Sequence, residues 1–283
     1  MSVWIGTGSQ GGLVDAANAT VSVFDHGFTV GDGIFETMKV VDGRLFLWPW
    51  HLERLHASAE HMRIPLPDDA LITDIVVTIA RRSVAEVGAA ARVRLTISAG
   101  LGPLGSARFE VPPTIVCAAS AMPVRSGDAT LHVASWPRNE HSPLSGVKST
   151  SYAENVLALA EATAVDAGEA LFFNTVGDLC EGTGSNVFIV ENGVVVTPPV
   201  AAGRLAGVTR RFALDLADAG IPAVERSISA AEFDAADEVF ITSTFQDVRG
   251  VRRIDQRGLE VGPVTREFQR RFAEAAASEA HWS

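Results

Sequence analysis

Two Asx-Gly steps, Asp42-Gly43 and Asn192-Gly193, constrain this chain more than any other feature, because each separates two short apolar runs. Such pairs adopt the positive backbone torsions that a tight hairpin turn needs. Ile34-Phe35-Glu36-Thr37-Met38-Lys39-Val40-Val41 reads as a strand and Leu45-Phe46-Leu47-Trp48 as its return, so residues 34–48 are expected to form a hairpin. A second hairpin is expected over 186–196, around Glu191-Asn192-Gly193. Helical patterns stand between these runs. Leu52, Leu55, Ala59 and Met62 mark a helix over 50–62, and others cover 68–87, 151–167 (closed by Gly168) and 208–219 (capped by Gly220). Further strands are expected at 92–98, 114–120, 170–174 and 238–242, and Ser229 with Glu232 reads as a capping box. Hairpins mixed with helices argue for an α+β fold and against a doubly wound parallel sheet.

The chain has 283 residues, 47% of them hydrophobic, so it can fill two medium cores. Between 121 and 128 the composition turns to Pro, Arg, Ser, Gly and Asp. That stretch is read as a linker, with a small N-terminal domain over 1–120 and a larger C-terminal domain over 129–283. A net charge of -11 and a pI of about 5.1 repel nucleic-acid phosphates. The apolar runs 170–173 and 187–190 are too short to span a bilayer, and the start lacks the pattern of a secretory signal. Two cysteines, Cys117 and Cys180, without paired spacing fit a reducing compartment, so a cytoplasmic enzyme is expected.

Four places carry chemistry-bearing residues. Lys148 lies in Ser145-Gly146-Val147-Lys148-Ser149-Thr150-Ser151-Tyr152, with no acid in that stretch, ahead of an apolar helix. A desolvated lysine becomes an amine nucleophile, although taken locally a surface lysine is the commoner case. Glu181 lies between an apolar pair and the Gly-rich turn Gly182-Thr183-Gly184, a carboxylate beside a close backbone approach; an ordinary loop is an equal reading. Gly207-Val208-Thr209 opens a helix whose first-turn N–H groups can seat a phosphate, as can the hydroxyls of Thr242-Ser243-Thr244 at a strand end. Plain capping and a plain turn compete with these. Arg54 stands on the 50–62 helix, suited to two-pronged phosphate contact or to a solvated face. Together, a phosphate cradle, an amine and a carboxylate are what pyridoxal phosphate needs.

The order of these segments over 21–255 resembles the class IV (fold-type IV) pyridoxal-phosphate family, which includes branched-chain and D-amino-acid aminotransferases and aminodeoxychorismate lyase. The matching stretches are Gly31-Asp32-Gly33-Ile34-Phe35-Glu36, His51-Leu52-Glu53-Arg54-Leu55, Lys148 with Tyr152 and Asn155, and Glu181-Gly182 with Ser185-Asn186-Val187-Phe188. Thr197-Pro198-Pro199 and Leu205-Ala206-Gly207-Val208-Thr209-Arg210 complete the set. The resemblance implies a two-domain α+β enzyme with a β-barrel-like sheet in the C-terminal cofactor-binding domain, pyridoxal 5'-phosphate as cofactor, and a homodimer. It implies Lys148 as Schiff-base lysine and proton shuttle, Glu181 as partner of the pyridine nitrogen, and Leu205 against the ring. Arg54, Val208, Thr209, Ser243 and Thr244 are implied as the phosphate cup, and Tyr152 as a partner of the ring oxygen. In branched-chain enzymes that tyrosine lies one residue further from the lysine.

Small amino acids and 2-oxo acids are the expected partners, in a ping-pong transamination. Phe35, Thr37 and Lys39 alternate on one strand face that in the family lines the substrate pocket. Lys39 and Arg94 are candidates for a substrate carboxylate, or two surface cations. The D-amino-acid type carries an Arg-x-His pair after the 92–98 strand, and Gly100-Leu101-Gly102-Pro103-Leu104-Gly105 holds none. The Glu36-Thr37-Met38-Lys39 stretch nevertheless resembles D-amino-acid enzymes more than branched-chain ones, which gives D-amino acids a slight preference with an atypical pocket. The alternatives are 4-amino-4-deoxychorismate lyase, a branched-chain aminotransferase and, remotely, a noncatalytic relative or a metal-dependent hydrolase. Against the last, the five-residue spacing of His51, His56 and His61 spreads them around their helix.

Overall fold

The structure, a computed structural model, describes the chain except for residues 124–126 and 218–219. Part of the expected 121–128 linker and the end of the expected 208–219 helix lie outside the described residues. The chain divides into two compact units. The first comprises Met1–Pro123, Val147–Tyr152 and Ala280–Ser283, and the second Val124–Gly146 and Ala153–Glu279.

The first unit is built on a six-stranded sheet of β1 (Ser2–Thr7), β2 (Gln10–Asp15), β3 (Gly33–Val41), β4 (Arg44–Leu45), β5 (Ala90–Ser98) and β6 (Thr114–Ala121). Its order is β2-β1-β6-β5-β3-β4 and every pairing is antiparallel. A short helix α1 (His26–Thr29), capped by the Asp25 side chain, precedes β3. The expected turn at Asp42-Gly43 is present, with φ of 49° and 78°. The return strand is shorter than expected. Leu47 is left-handed (φ 54°) and Pro49 stands in the first turn of α2 (Trp48–Met62), so the chain bends into the helix early. Helix α3 (Asp69–Glu86) follows, capped by Asp68. Leu55, Ala59, Ile72, Ile75, Val76 and Ile79 of the two helices pack on Ile34, Met38, Val40, Val93, Leu95 and Ile97 of the sheet. Strand alternation puts Phe35, Thr37 and Lys39 on the opposite face. There the register pairs them with Thr96, Arg94 and Arg92 of β5.

The second unit holds a curled, half-barrel sheet of nine strands. These are β7 (Ala129–Val133), β8 (Glu169–Phe173), β9 (Leu179–Gly182), β10 (Asn186–Glu191), β11 (Val194–Thr197), β12 (Ala223–Glu225), β13 (Glu238–Ser243), β14 (Asp247–Ile254) and β15 (Arg257–Gly258). Their order is β12-β11-β10-β13-β14-β7-β8-β9, with β15 on β14. The helices are α4 (Ala153–Ala164), α5 (Val208–Ala217), α6 (Ala230–Ala235) and α7 (Pro263–Ala276). The Ser229–Glu232 capping box opens α6 as expected. Val187 and Ile189 of β10 join the cluster of Leu131, Leu171, Leu179, Ile228 and Ile241. Phe188 points the other way and stacks on Phe240 at 4.6 Å, which in turn meets Phe268 of α7 at 5.2 Å. A strand buried on both faces needs an unbroken apolar run, which 187–190 supplies.

Candidate active site

In the first unit the segment around Lys148 docks along the start of β3. The Phe35 N–H donates to the Lys148 carbonyl at 2.9 Å, and the Thr150 N–H to the Gly33 carbonyl at 2.8 Å. The hydroxyls of Thr150 and Ser151 donate to the Gly31 carbonyl at 2.8 and 3.0 Å. Gly31 has φ +68°, and a Cβ there would stand 2.8 Å from the Ser151 hydroxyl, so this dock requires a glycine. Lys148 Nζ is thereby held 4.4 Å from the centroid of the Phe35 ring. The Arg94 guanidinium lies 3.7 Å from the same centroid, and Tyr152 meets the ring edge-on at 5.2 Å. Burial depresses the Arg94 guanidinium below its ordinary value, while the nearby Tyr152 pulls it back up. Of the residues singled out from the sequence, Arg94, Lys148 and Tyr152 therefore converge on the ring of a fourth, Phe35. Thr37 and Lys39 continue that face.

Behind β3 stands a group that the sequence reading did not single out. Glu36 falls at a core position between Ile34 and Met38 and is fully buried. Arg54 of α2 donates to it with two prongs, Nε to Oε1 at 2.8 Å and Nη2 to Oε2 at 2.7 Å. The His51 Nδ1 lies 2.6 Å from Oε2. Burial raises the Glu36 carboxyl, but Arg54 and His51 outweigh it and hold it at about 2. Burial also pushes His51 below its usual value; the charges of Arg54 and Lys148 add to this and Glu36 opposes it. The helix spacing that shows Arg54 also places His51 one turn earlier, so the signal for this trio was a carboxylate at an inward strand position opposite them. His56, on the same helix, bonds Asp69 at the surface, at 2.7 Å.

In the second unit Glu181, at the end of β9, is tied to the turn that precedes α5. Its Oε2 accepts the Leu205 N–H at 2.9 Å and faces Asn186 Nδ2 at 3.5 Å. Asn186 Nδ2 also donates to the Leu205 carbonyl at 3.0 Å. A Cβ on Gly207 would stand 1.8 Å from Asn186 Oδ1, so the turn can approach β10 this closely only with glycine there. Glu169 fixes the Gly-rich turn after Glu181, accepting the Gly184 N–H at 3.1 Å and the Thr183 hydroxyl. Asn155 of α4 donates to the Thr183 carbonyl at 2.6 Å. Val208 and Thr209 are buried in the first turn of α5, which packs against β13. Ser243 ends β13 and Thr244 follows it, both half-buried. Thr242 pairs in register with Asn186, and its buried hydroxyl has no hydrogen-bond partner among the described residues.

Residues 33–254 match the family described as amino-transferase class IV. The chain belongs to the class IV aminotransferases. It is 36% identical over 275 residues to a putative branched-chain-amino-acid aminotransferase of Methanocaldococcus jannaschii, covering 93% of each chain. It is 31% identical to the D-alanine aminotransferase of Staphylococcus haemolyticus, over 93% of this chain and 95% of that one. The aminodeoxychorismate lyase of Bacillus subtilis is 29% identical, over 92% and 91%. The branched-chain aminotransferase of Thermoproteus uzoniensis, solved with norvaline, superposes with a TM-score of 0.90 at 28% identity, over 100% of this chain and 98% of that one.

This enzyme is therefore an α+β member of a pyridoxal-phosphate family. Its residues fit that cofactor. The chain offers an amine on an ordered dock, a carboxylate aimed by amide donors, the first turn of a ten-residue helix and, beside Asn186, an orphaned buried hydroxyl. Among the described residues no helix is long and apolar enough to cross a membrane.

Proposed function

We propose that this class IV aminotransferase moves an amino group between an amino acid and a 2-oxo acid, with D-amino acids slightly favoured and an atypical pocket. The observation that carries the reading is the convergence of Lys148, Arg94 and Tyr152 on Phe35. Bound pyridoxal phosphate supplies a carbonyl that joins the substrate nitrogen and a cationic ring that takes up electron density from the substrate Cα. Lys148 would hold the resting cofactor through Nζ and, once released, would take the proton from the substrate Cα and deliver it to the cofactor carbon, the shift that amino transfer needs. Glu181 keeps a proton on the ring nitrogen, because a neighbouring carboxylate favours the charged ring. Leu205 would pack on the ring and Tyr152 would bond its oxygen. Val208, Thr209, Ser243 and Thr244 would hold the phosphate, in line with the helix-start and hydroxyl chemistry of these positions, and Arg54 would add its positive charge.

Arg94 and Lys39 are proposed to receive the substrate carboxylate. They share one face of the sheet with Phe35 and Thr37. The enzyme is also proposed to work as a homodimer. Large apolar side chains are exposed in the first unit, with Phe28 at 74% and Val23 at 64%, and on α4 of the second, with Val156 and Leu157 at 62%. The two buried, reduced cysteines fit the cytoplasm.

The test is to add D-alanine, D-glutamate, L-leucine, L-glutamate and (R)-1-phenylethylamine separately to the pyridoxal-phosphate enzyme and follow the cofactor's visible absorbance. Fastest bleaching by a D-amino acid supports the proposal. Fastest bleaching by L-leucine would replace it with a branched-chain assignment, and pyruvate release from aminodeoxychorismate without amino transfer with the lyase one.

A further inference from the structure

The turn that carries Leu205 is anchored by two buried arginines that the proposed reaction does not use. Arg204 is 3% exposed. Its Nε donates to the Pro198 carbonyl at 2.7 Å, its Nη1 to the Leu205 carbonyl at 3.2 Å, and its Nη2 to Glu225 Oε2 at 2.9 Å. Arg210, in the first turn of α5, donates to Thr197 Oγ1 at 3.2 Å and to the same Pro198 carbonyl at 3.1 Å. It also closes tightly on the same Glu225 oxygen. Two guanidiniums thus share one carboxylate, which sits half in solvent on the edge strand β12.

Placing two buried like charges together is unfavourable unless the arrangement serves something. Burial and Arg210 push Arg204 down to about 10, and the carboxylates of Glu225 and Glu181 act in the opposite direction. Arg204 is therefore close enough to Glu181 to sense its charge. Arg204, Arg138 and Glu140 all act on Cys180, the neighbour of Glu181. Of these, Arg138 is engaged by Glu154 and Asn155, and Glu140 by Thr175. Arg204 alone of the three bonds the peptide that bonds Glu181. The Leu205 peptide is gripped at both ends, its N–H by the Glu181 carboxylate and its carbonyl by Arg204 and Asn186.

We propose that Arg204, anchored by Glu225, is a positioning residue that fixes the Leu205 peptide against Glu181, so that the carboxylate facing the cofactor's ring nitrogen keeps its direction and its charge. This rests on the proposed role of Glu181. Glu225 neutralises one of the two cations and holds Arg204 in the orientation that reaches the Leu205 carbonyl. Arg204→Met removes both charge and fork, Arg204→Lys keeps the charge without the fork, and Glu225→Gln keeps an acceptor without the charge.

The experiment measures the pyridoxal-phosphate dissociation constant and the pH titration of the holoenzyme's visible absorbance in these variants, alone and combined with Glu181→Gln. Arg204→Met is expected to weaken cofactor binding by about tenfold or more and to shift the absorbance titration, the size usual for a residue that orients a ligand's direct partner. Arg204→Lys and Glu225→Gln are expected to show the same changes, smaller. In the Glu181→Gln background the further loss is expected to fall below about threefold, because the group through which Arg204 acts is gone. Wild-type affinity and titration in Arg204→Met, or an equal loss in both backgrounds, would overturn the proposal. If Arg204→Met does not fold, Arg204→Lys and Glu225→Gln decide by the same comparison. Should Glu181→Gln alone leave affinity and absorbance unchanged, the Glu181 assignment itself falls, a result distinct from failure at Arg204.

Discussion

Glu36 in the first unit and Glu181 in the second are both carboxylates set against apolar strands, and their surroundings treat them in opposite ways. Glu36 is enclosed by the core and met by a two-pronged arginine and a histidine, so its charge is consumed where it stands. Glu181 accepts the Leu205 N–H and faces the Asn186 amide, donors that orient a carboxylate. A carboxylate matched by fixed cations serves the architecture around it. One oriented by amide donors is placed to serve the proposed contact with the cofactor's ring nitrogen. The difference teaches that burial of an acid says less about its role than the charge of the groups that hold it.

That contrast is open to direct attack. The largest effect is expected at the proposed amine nucleophile. Lys148→Ala is expected to lower kcat by at least about 10³-fold, since it loses nucleophile and proton carrier together. Single-turnover absorbance changes with the best donor check this. Next comes Glu36→Gln. Leaving Arg54 and His51 without their anion is expected to destabilise the fold by about 3–5 kcal/mol, seen in urea melts. A stability loss within error of zero would show that Glu36 is not the structural member of the pair. Its pH dependence has a definite sign. The folded-state value is lowered from 4.5 to about 2, so this stabilisation is complete above 4.5 and drains away as pH falls towards 2. Acid melts of wild type and Glu36→Gln are expected to converge across that window.

Glu181→Gln, by contrast, is expected to leave the urea midpoint nearly unchanged and to lower kcat by about 10²-fold, the size of a lost preorganised charge. A large stability loss with little kinetic change would reverse the comparison. The smallest effect is at Arg94. Arg94→Ala is expected to raise KM for the carboxylate substrate by about tenfold with kcat nearly intact, the loss of one charge-assisted hydrogen bond. Initial rates against donor concentration measure it.

Much of this was legible in the sequence because it lies in local patterns. Asp42-Gly43 and Asn192-Gly193 announced their hairpins, and Ser229 with Glu232 announced a helix start. The β1–β2 pair was not legible. Gly6 and Gly11 face each other under the Trp4 ring, where a Cβ on Gly6 would stand 2.3 Å from the Gln10 carbonyl and 2.6 Å from the indole. Glycines that make the close approach possible also weaken the strand pattern. Lys148 and Phe35 were each visible, but not that they meet. Their contact depends on backbone hydrogen bonds between stretches more than a hundred residues apart. The Glu36 trio was hidden for a related reason: a lone acid in an apolar strand looks like an outward residue until its opposite-face neighbours are known.

The most direct test of the account is chemical. Reducing the pyridoxal-phosphate enzyme with borohydride and mapping its peptides by mass is expected to place one pyridoxyl group on Lys148, and none on Lys39. A pyridoxyl group on any other residue, or none at all in protein saturated with cofactor, would contradict the assignment of Lys148.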